Sequence, residues 1–186
     1  MTNRADLLAA RHLSVMTCVD RLAIGPLLAR VEDDLLDVAR RSARQPETRV
    51  VGIVDDAERL VGVLPILRIV EDVIAQVDPE ALMAGITDIE DVVRFGHAVE
   101  ARIAGDAMLA PASVRAEATV GEAFRLMQQR HLSGIYVVDA GERVVGYLDL
   151  LELAVLYVDV LAPTAAGGGM EDAAEPWTTH VPDVGD

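Results

Sequence analysis

Apolar and polar positions along this chain write one pattern twice. From Val54 the order is Val-Asp-Asp-Ala-Glu-Arg-Leu-Val-Gly-Val-Leu-Pro, and from Val138 it is Val-Asp-Ala-Gly-Glu-Arg-Val-Val-Gly-Tyr-Leu-Asp. At a constant offset of 84 residues Val54/Val138, Asp55/Asp139, Glu58/Glu142, Arg59/Arg143, Val61/Val145, Gly62/Gly146, Leu64/Leu148 and Leu67/Leu151 are identical. In each copy an apolar, β-branched run (50–54 and 135–138) reads as a strand, a few polar residues read as a tight turn, and a second apolar run follows to Leu64 or Leu148. The pattern predicts a β-hairpin leading into a helix. Gly62 and Gly146, inside the second strands, predict a close approach by a backbone or a ligand.

A helix is predicted upstream of each hairpin. Thr119 and Glu122 have the spacing of a capping box, and Val120, Ala123, Phe124 and Met127 form one apolar stripe behind it. The first copy has Asp34 as the cap, with Leu35, Val38 and Ala39 starting the equivalent stripe. The unit of helix, strand, turn, strand and helix therefore occurs twice.

These residues resemble a tandem cystathionine β-synthase (CBS) domain pair, or Bateman module. The second copy carries the resemblance through Asp106-Ala107-Met108, Ala118-Thr119-Val120-Gly121-Glu122-Ala123, Leu132-Ser133-Gly134, Val137-Val138-Asp139 and Val145-Gly146-Tyr147-Leu148. The first copy matches through Val54-Asp55 and Leu60-Val61-Gly62-Val63. The resemblance implies an α/β fold: two repeats, each a small sheet flanked by two helices, in a pseudo-twofold arrangement. The expected division is an N-terminal helix (1–19), first repeat (20–74), helical insert (75–105), second repeat (106–162) and disordered tail (163–186).

The remaining segments fill in this frame. Ala5, Leu8, Ala9, His12, Leu13 and Met16 have helical spacing over residues 4–18. In the insert, Asp78-Pro79-Glu80 reads as a helix start, and Thr87 with Glu90 as another capping box. Ile89, Val92, Val93, Gly96, Val99 and Ile103 then line one face, which is expected to pack on the module or on a second subunit. The final helix, around 150–158, is apolar nearly all round and predicts burial on more than one side. The resemblance implies a homodimer through these helices. Beyond Pro163 the composition is that of a disordered tail, with Trp177 inside it.

Composition narrows the function. The formal charge of −15 argues against nucleic acid and anionic membranes as partners, and all 16 basic residues are arginine, which reads as base composition and not as function. One cysteine, Cys18, precludes an intramolecular disulfide, and no apolar run is long enough for a membrane span, so a cytoplasmic protein is expected. His12, His97, His131 and His180 are scattered, no glycine-rich phosphate loop occurs, and an enzyme is not expected.

The resemblance implies a regulatory sensor that binds an adenine nucleotide (AMP, ADP or ATP) in the groove between repeats and signals to a regulated protein. Its binding motif is a glycine, then Ser/Thr three residues on and Asp six residues on. Here Gly146 is followed by Asp149 and Glu152, and Gly62 by Pro65 and Arg68. Glu152 remains an acceptor for a ribose diol, Asp149 sets a negative charge where a phosphate would lie, and Arg68 offers a bidentate cation. The candidate ligand residues are Ala112, Ser113, Val114, Ser133, Gly134, Asp149, Glu152 and Arg68. Two rivals stand beside this reading: an interaction module without a small ligand, and a Mg²⁺ sensor using Asp149 with Glu152.

Overall fold

The computed structural model describes residues 12–83 and 85–161. The tail from Pro163, with Trp177 and His180, and the first eleven residues lie outside them. The elements are α1 (Val15–Leu22), β1 (Leu28–Arg30), α2 (Leu35–Ser42), β2 (Val50–Val54), β3 (Leu60–Pro65), α3 (Ile66–Val77), α4 (Pro79–Met83), α5 (Ile89–Glu100), α6 (Ala104–Ala107), β4 (Ser113–Arg115), α7 (Val120–Arg130), β5 (Gly134–Val138), β6 (Val144–Asp149) and α8 (Leu150–Leu161). Two three-stranded sheets, β1-β2-β3 and β4-β5-β6, share one plan: a parallel pair followed by an antiparallel hairpin. Both hairpins slip register at the same place, between Ile53 and Val54 and between Val137 and Val138. Glu58 and Glu142 hold the equivalent left-handed turn positions, at φ 61° and 64°. The short strand β4 had no separate sign in the hydrophobic pattern.

The helix starts follow their caps. Thr119 and Glu122 make the reciprocal capping box, and Asp34 accepts from the N–H groups of Leu36 and Asp37. In the insert the cap lies one residue beyond the expected Thr87. Asp88 accepts from Asp91 N–H, while Thr87 donates its N–H and hydroxyl to the Asp91 carboxylate. A carboxylate is the stronger cap, and Asp88 takes the role. The first helix among the described residues is capped by Ser14 and begins at Val15, so within the helix expected over 4–18 the residues from His12 to Ser14 are not helical, and residues 4–11 lie outside the described residues.

Chain order and packing order are exchanged. Helix α1 contributes Val15 and Cys18 to the core of the second sheet, beside Val120, Met127, Ile135 and Leu148. Ala101, Ala104 and Ala107, at the end of the insert and the start of the second repeat, complete the core of the first sheet beside Leu35, Ile53 and Ile69. The exchange repeats bond for bond. Val120 N–H donates to Leu13 and Leu35 N–H to Arg102, at 2.9 and 3.0 Å; Val15 N–H donates to Ala118 and Ala104 N–H to Asp33, at 3.0 and 2.8 Å. The two strand glycines are explained by it. A Cβ on Gly62 would lie 2.5 Å from the Met108 sulfur, and one on Gly146 would lie 2.7 Å from Val19. The close approach is made by the exchanged segments.

Along α3, Arg68, Asp72 and Gln76 form an i, i+4, i+8 row facing the exchanged segment. Arg68 Nε donates to the Ala107 carbonyl at 2.9 Å and Gln76 donates to the Ala101 carbonyl at 2.6 Å. Between them Asp72 is buried, its Oδ2 without a hydrogen-bond partner among the described residues and 3.9 Å from Arg68 Nε. Burial raises its pKa, with Arg68 opposing. Below about pH 4 folded and unfolded chains both hold this proton; above it only the unfolded chain ionises without penalty, so Asp72 subtracts stability as pH rises. Asp72→Asn is expected to unfold at a higher temperature than the native chain at pH 7, the difference vanishing near pH 3. Equal melting at pH 7 would refute this account.

Two helical faces differ from expectation. Ile89, Val92 and Val93 of α5 are exposed, at 75%, 48% and 55%, and α5 meets α3 through the opposite face, with Ala98 buried. On α8, Leu153 is fully buried but Leu151 and Val155 are exposed. One sheet covers one face of a helix, and within this chain nothing among the described residues covers the other.

Candidate functional site

The two repeats meet along β2, β3, β5 and β6, with Arg59 bridging Arg143 at the hairpin-turn end and a polar cluster at the other. The offset of 84 pairs Arg49 with Ser133 and Pro65 with Asp149, and these four positions converge. Ile66 N–H donates to the Arg49 carbonyl and Leu150 N–H to the Ser133 carbonyl, at 3.0 and 2.8 Å, so each helix start is anchored to its strand start. The interface core between the repeats comprises Val50, Leu60, Val63, Ala112, Leu132, Tyr136, Val138 and Tyr147. Tyr136 and Tyr147 pack with ring centroids 5.2 Å apart.

A polar network crosses this interface. The Arg49 guanidinium from the first repeat pairs with the Asp149 carboxylate of the second, whose side chain is fully buried. The same Asp149 oxygen accepts from Leu151 N–H at 2.9 Å, and Tyr147 Oη, 3.5 Å from the other oxygen, points its hydroxyl there. Tyr147 in turn accepts from Arg49 N–H at 3.1 Å. Burial, and then the Asp149 charge, pushes the Tyr147 phenol above its ordinary range, which keeps it a donor. Tyr136 reaches across the interface to the carbonyls of Leu27 and Val50, at 2.7 and 2.8 Å.

Beside this network opens a cavity of about 720 Å³. Its apolar wall comes from α2 and α3 (Ala39, Ile66, Ile69, Val70, Val73), and its polar edge from both repeats: Thr48 and Arg49 of the first, His131 and Ser133 of the second. That size and this mixture of an apolar wall with a few polar groups suit a small organic ligand. His131 caps α7 in a left-handed conformation, φ 53°.

The structure brings several predicted site residues together. Gly134 pairs in register with Asp149, Ser133 precedes it, and Ala112 and Ser113 lie one strand over, where Ser113 pairs with Tyr136. Glu152 is half-buried in the first turn of α8. Val114 is buried in the second repeat's own core and Ala112 in the interface core. Arg68 sits apart from the rest, bonded to Ala107. Asp149 is buried beneath the cavity edge and committed to Arg49. Among the described residues no group of three or more His, Cys, Asp or Glu could hold a metal ion, and no helix is long and apolar enough to cross a membrane. Residue-level reading missed Thr48, Arg49, His131 and the α2 wall. The repeat offset applied to Ser133 would have pointed to Arg49.

Comparisons with known proteins agree with this architecture. Residues 104–158 match the family model of the CBS domain. No curated protein matches the chain. A CBS domain-containing protein from Thermotoga maritima superposes with a TM-score of 0.61 at 21% identity, over 78% of this chain and 94% of that one. The CBS-pair protein CBSX2 from Arabidopsis thaliana, solved in complex with AMP, gives 0.56 at 18% identity, over 73% and 90%. A CBS domain pair solved with 5′-methylthioadenosine and S-adenosyl-L-methionine gives 0.53 at 17% identity, over 73% and 93%.

Proposed function

We propose that this tandem CBS domain module is a regulatory sensor whose inter-repeat cavity binds an adenosine-type effector of the adenine-nucleotide class. The observation that carries the reading is the cavity of about 720 Å³, with an apolar wall from the first repeat and a polar edge to which both repeats contribute. In this reading a base lies against Ile66, Val70 and Val73, and the sugar end turns to Arg49 and Ser133. The AMP complex of the similar CBSX2 structure and the methylthioadenosine complex support the same ligand class. Because one wall is α3 and the polar edge includes α7's end and Ser133, a ligand that binds one inter-repeat arrangement more tightly shifts the population toward it. A regulated protein, or a second copy docked on the exposed Leu67, Leu151 and Val155, reads that shift.

The rival reading, an interaction module without a small ligand, is favoured by the exposed apolar face of α5. A thermal-shift series with AMP, ADP, ATP and S-adenosylmethionine separates the two. Saturation at a hundred times Kd adds about 2.7 kcal/mol to folding stability. At least one of these ligands is expected to raise Tm in the native chain and not in Val70→Glu, which places a carboxylate on the apolar wall. A flat series at millimolar ligand would overturn the sensor reading and leave the interaction module.

A further inference from the structure

We infer that Asp149 sets the charge selectivity of the inter-repeat cavity, so that adenosine-type ligands lose affinity as phosphates are added. The inference rests on the cavity being an adenosine site, as proposed above, and concerns which member of that class it takes.

The argument is a balance of charges around the polar edge. On the positive side stand Arg49, whose side chain is 35% exposed, and the start of α3, where Pro65 makes no side-chain cap bond. A helix start contributes about half a positive charge. On the negative side stands Asp149, with no side-chain exposure, paired to the Arg49 of that edge. Asp149 is not free to leave. Leu151 N–H, the Tyr147 hydroxyl and the Arg49 guanidinium all hold it, and separating it from Arg49 would strand a buried carboxylate. A phosphate therefore meets an arginine already neutralised by a fixed anion. The start of α8 is likewise occupied: the anion-binding end of that helix already carries its own carboxylate, bonded to Leu151 N–H. The Arg49–Asp149 pair presents no net positive charge to a phosphate, and Asp149→Asn would free the arginine to grip one.

The test uses adenosine, AMP and ATP as probes, with affinities measured by calorimetry on the native chain and on Asp149→Asn. In the native chain adenosine is expected to bind at least as tightly as AMP, and ATP about tenfold or more weakly than adenosine. Asn keeps the shape and removes the charge, so the AMP-to-adenosine affinity ratio is expected to rise about tenfold in the variant. A salt series on the native chain provides a readout that does not depend on the variant folding. Raising salt screens repulsion, so AMP binding holds or strengthens, whereas a phosphate gripped by an available arginine weakens. ATP binding tenfold tighter than adenosine, an unchanged ratio in Asp149→Asn, or AMP affinity that falls steeply with salt would each overturn the inference while leaving the adenosine site standing. Failure of all three probes to bind would remove the site itself and the inference with it.

Discussion

Arg49→Met is expected to destabilise the fold by about 3 kcal/mol, because it leaves the Asp149 carboxylate buried without its cation. Asp149 has no side-chain exposure and lies at the junction of the two repeats. Removing one partner of such a pair costs far more than the pair itself is worth, since the remaining charge has lost water and gained nothing. The cost falls at the lower end of the range for buried pairs because Arg49 keeps part of its guanidinium in solvent. Replacing both members, as Arg49→Met with Asp149→Asn, is expected to recover most of the loss. Urea unfolding of the native chain, the two single variants and the double variant closes a mutant cycle. A cost below about 1 kcal/mol for Arg49→Met, the value of an ordinary surface pair, would show that Asp149 is solvated in solution.

Gly134→Ala is expected to cost about 3 kcal/mol for a different reason. A Cβ at Gly134 would lie 1.9 Å from Tyr147 Oη and 2.5 Å from Cζ, and the strand pairing Gly134 with Asp149 leaves the backbone no slack. Tyr147 would have to leave, giving up its bonds to Arg49 N–H and Asp149. The first repeat already contains the alternative solution. At the positions equivalent to Gly134 and Tyr147 it has Val50 and Val63, both buried in the same interface core. Gly134→Ala combined with Tyr147→Val is therefore expected to be more stable than Gly134→Ala alone, although Tyr147→Val by itself opens a cavity and costs about as much. Thermal unfolding of the four proteins decides it; simple addition of the two single costs would refute the clash.

These two predictions rest on features that the sequence shows unequally. The offset of 84 residues is legible in the chain, and it correctly places the hairpins, their turn glutamates and the two strand glycines. It does not say what those glycines accommodate, because Met108 and Val19 reach them only through the exchange of segments between repeats. The candidate site divides in the same way. Ser133, Gly134 and Asp149 are found by motif and do converge, whereas Arg49 has no motif of its own and becomes a site residue only by facing Asp149. Arg68, which the motif spacing nominated for a phosphate, donates to the Ala107 carbonyl instead.

What the sequence by itself determined was local: the two strand–turn–strand units, the Asp34 and Thr119 caps, and the apolar stripes that seat α2 and α7. Such features depend on residues a few positions apart, whose period and hydrogen-bonding groups are written in order along the chain. The tertiary structure alone decided that α1 completes the second sheet while the segment around α6 completes the first. It decided too that the apolar face of α5 points to solvent, and that Asp149 is a buried partner of Arg49 and not a solvent-facing ligand. Each of these is a contact between residues tens of positions apart, set by which surfaces the two sheets leave uncovered once they pack, and no periodicity along the chain encodes that.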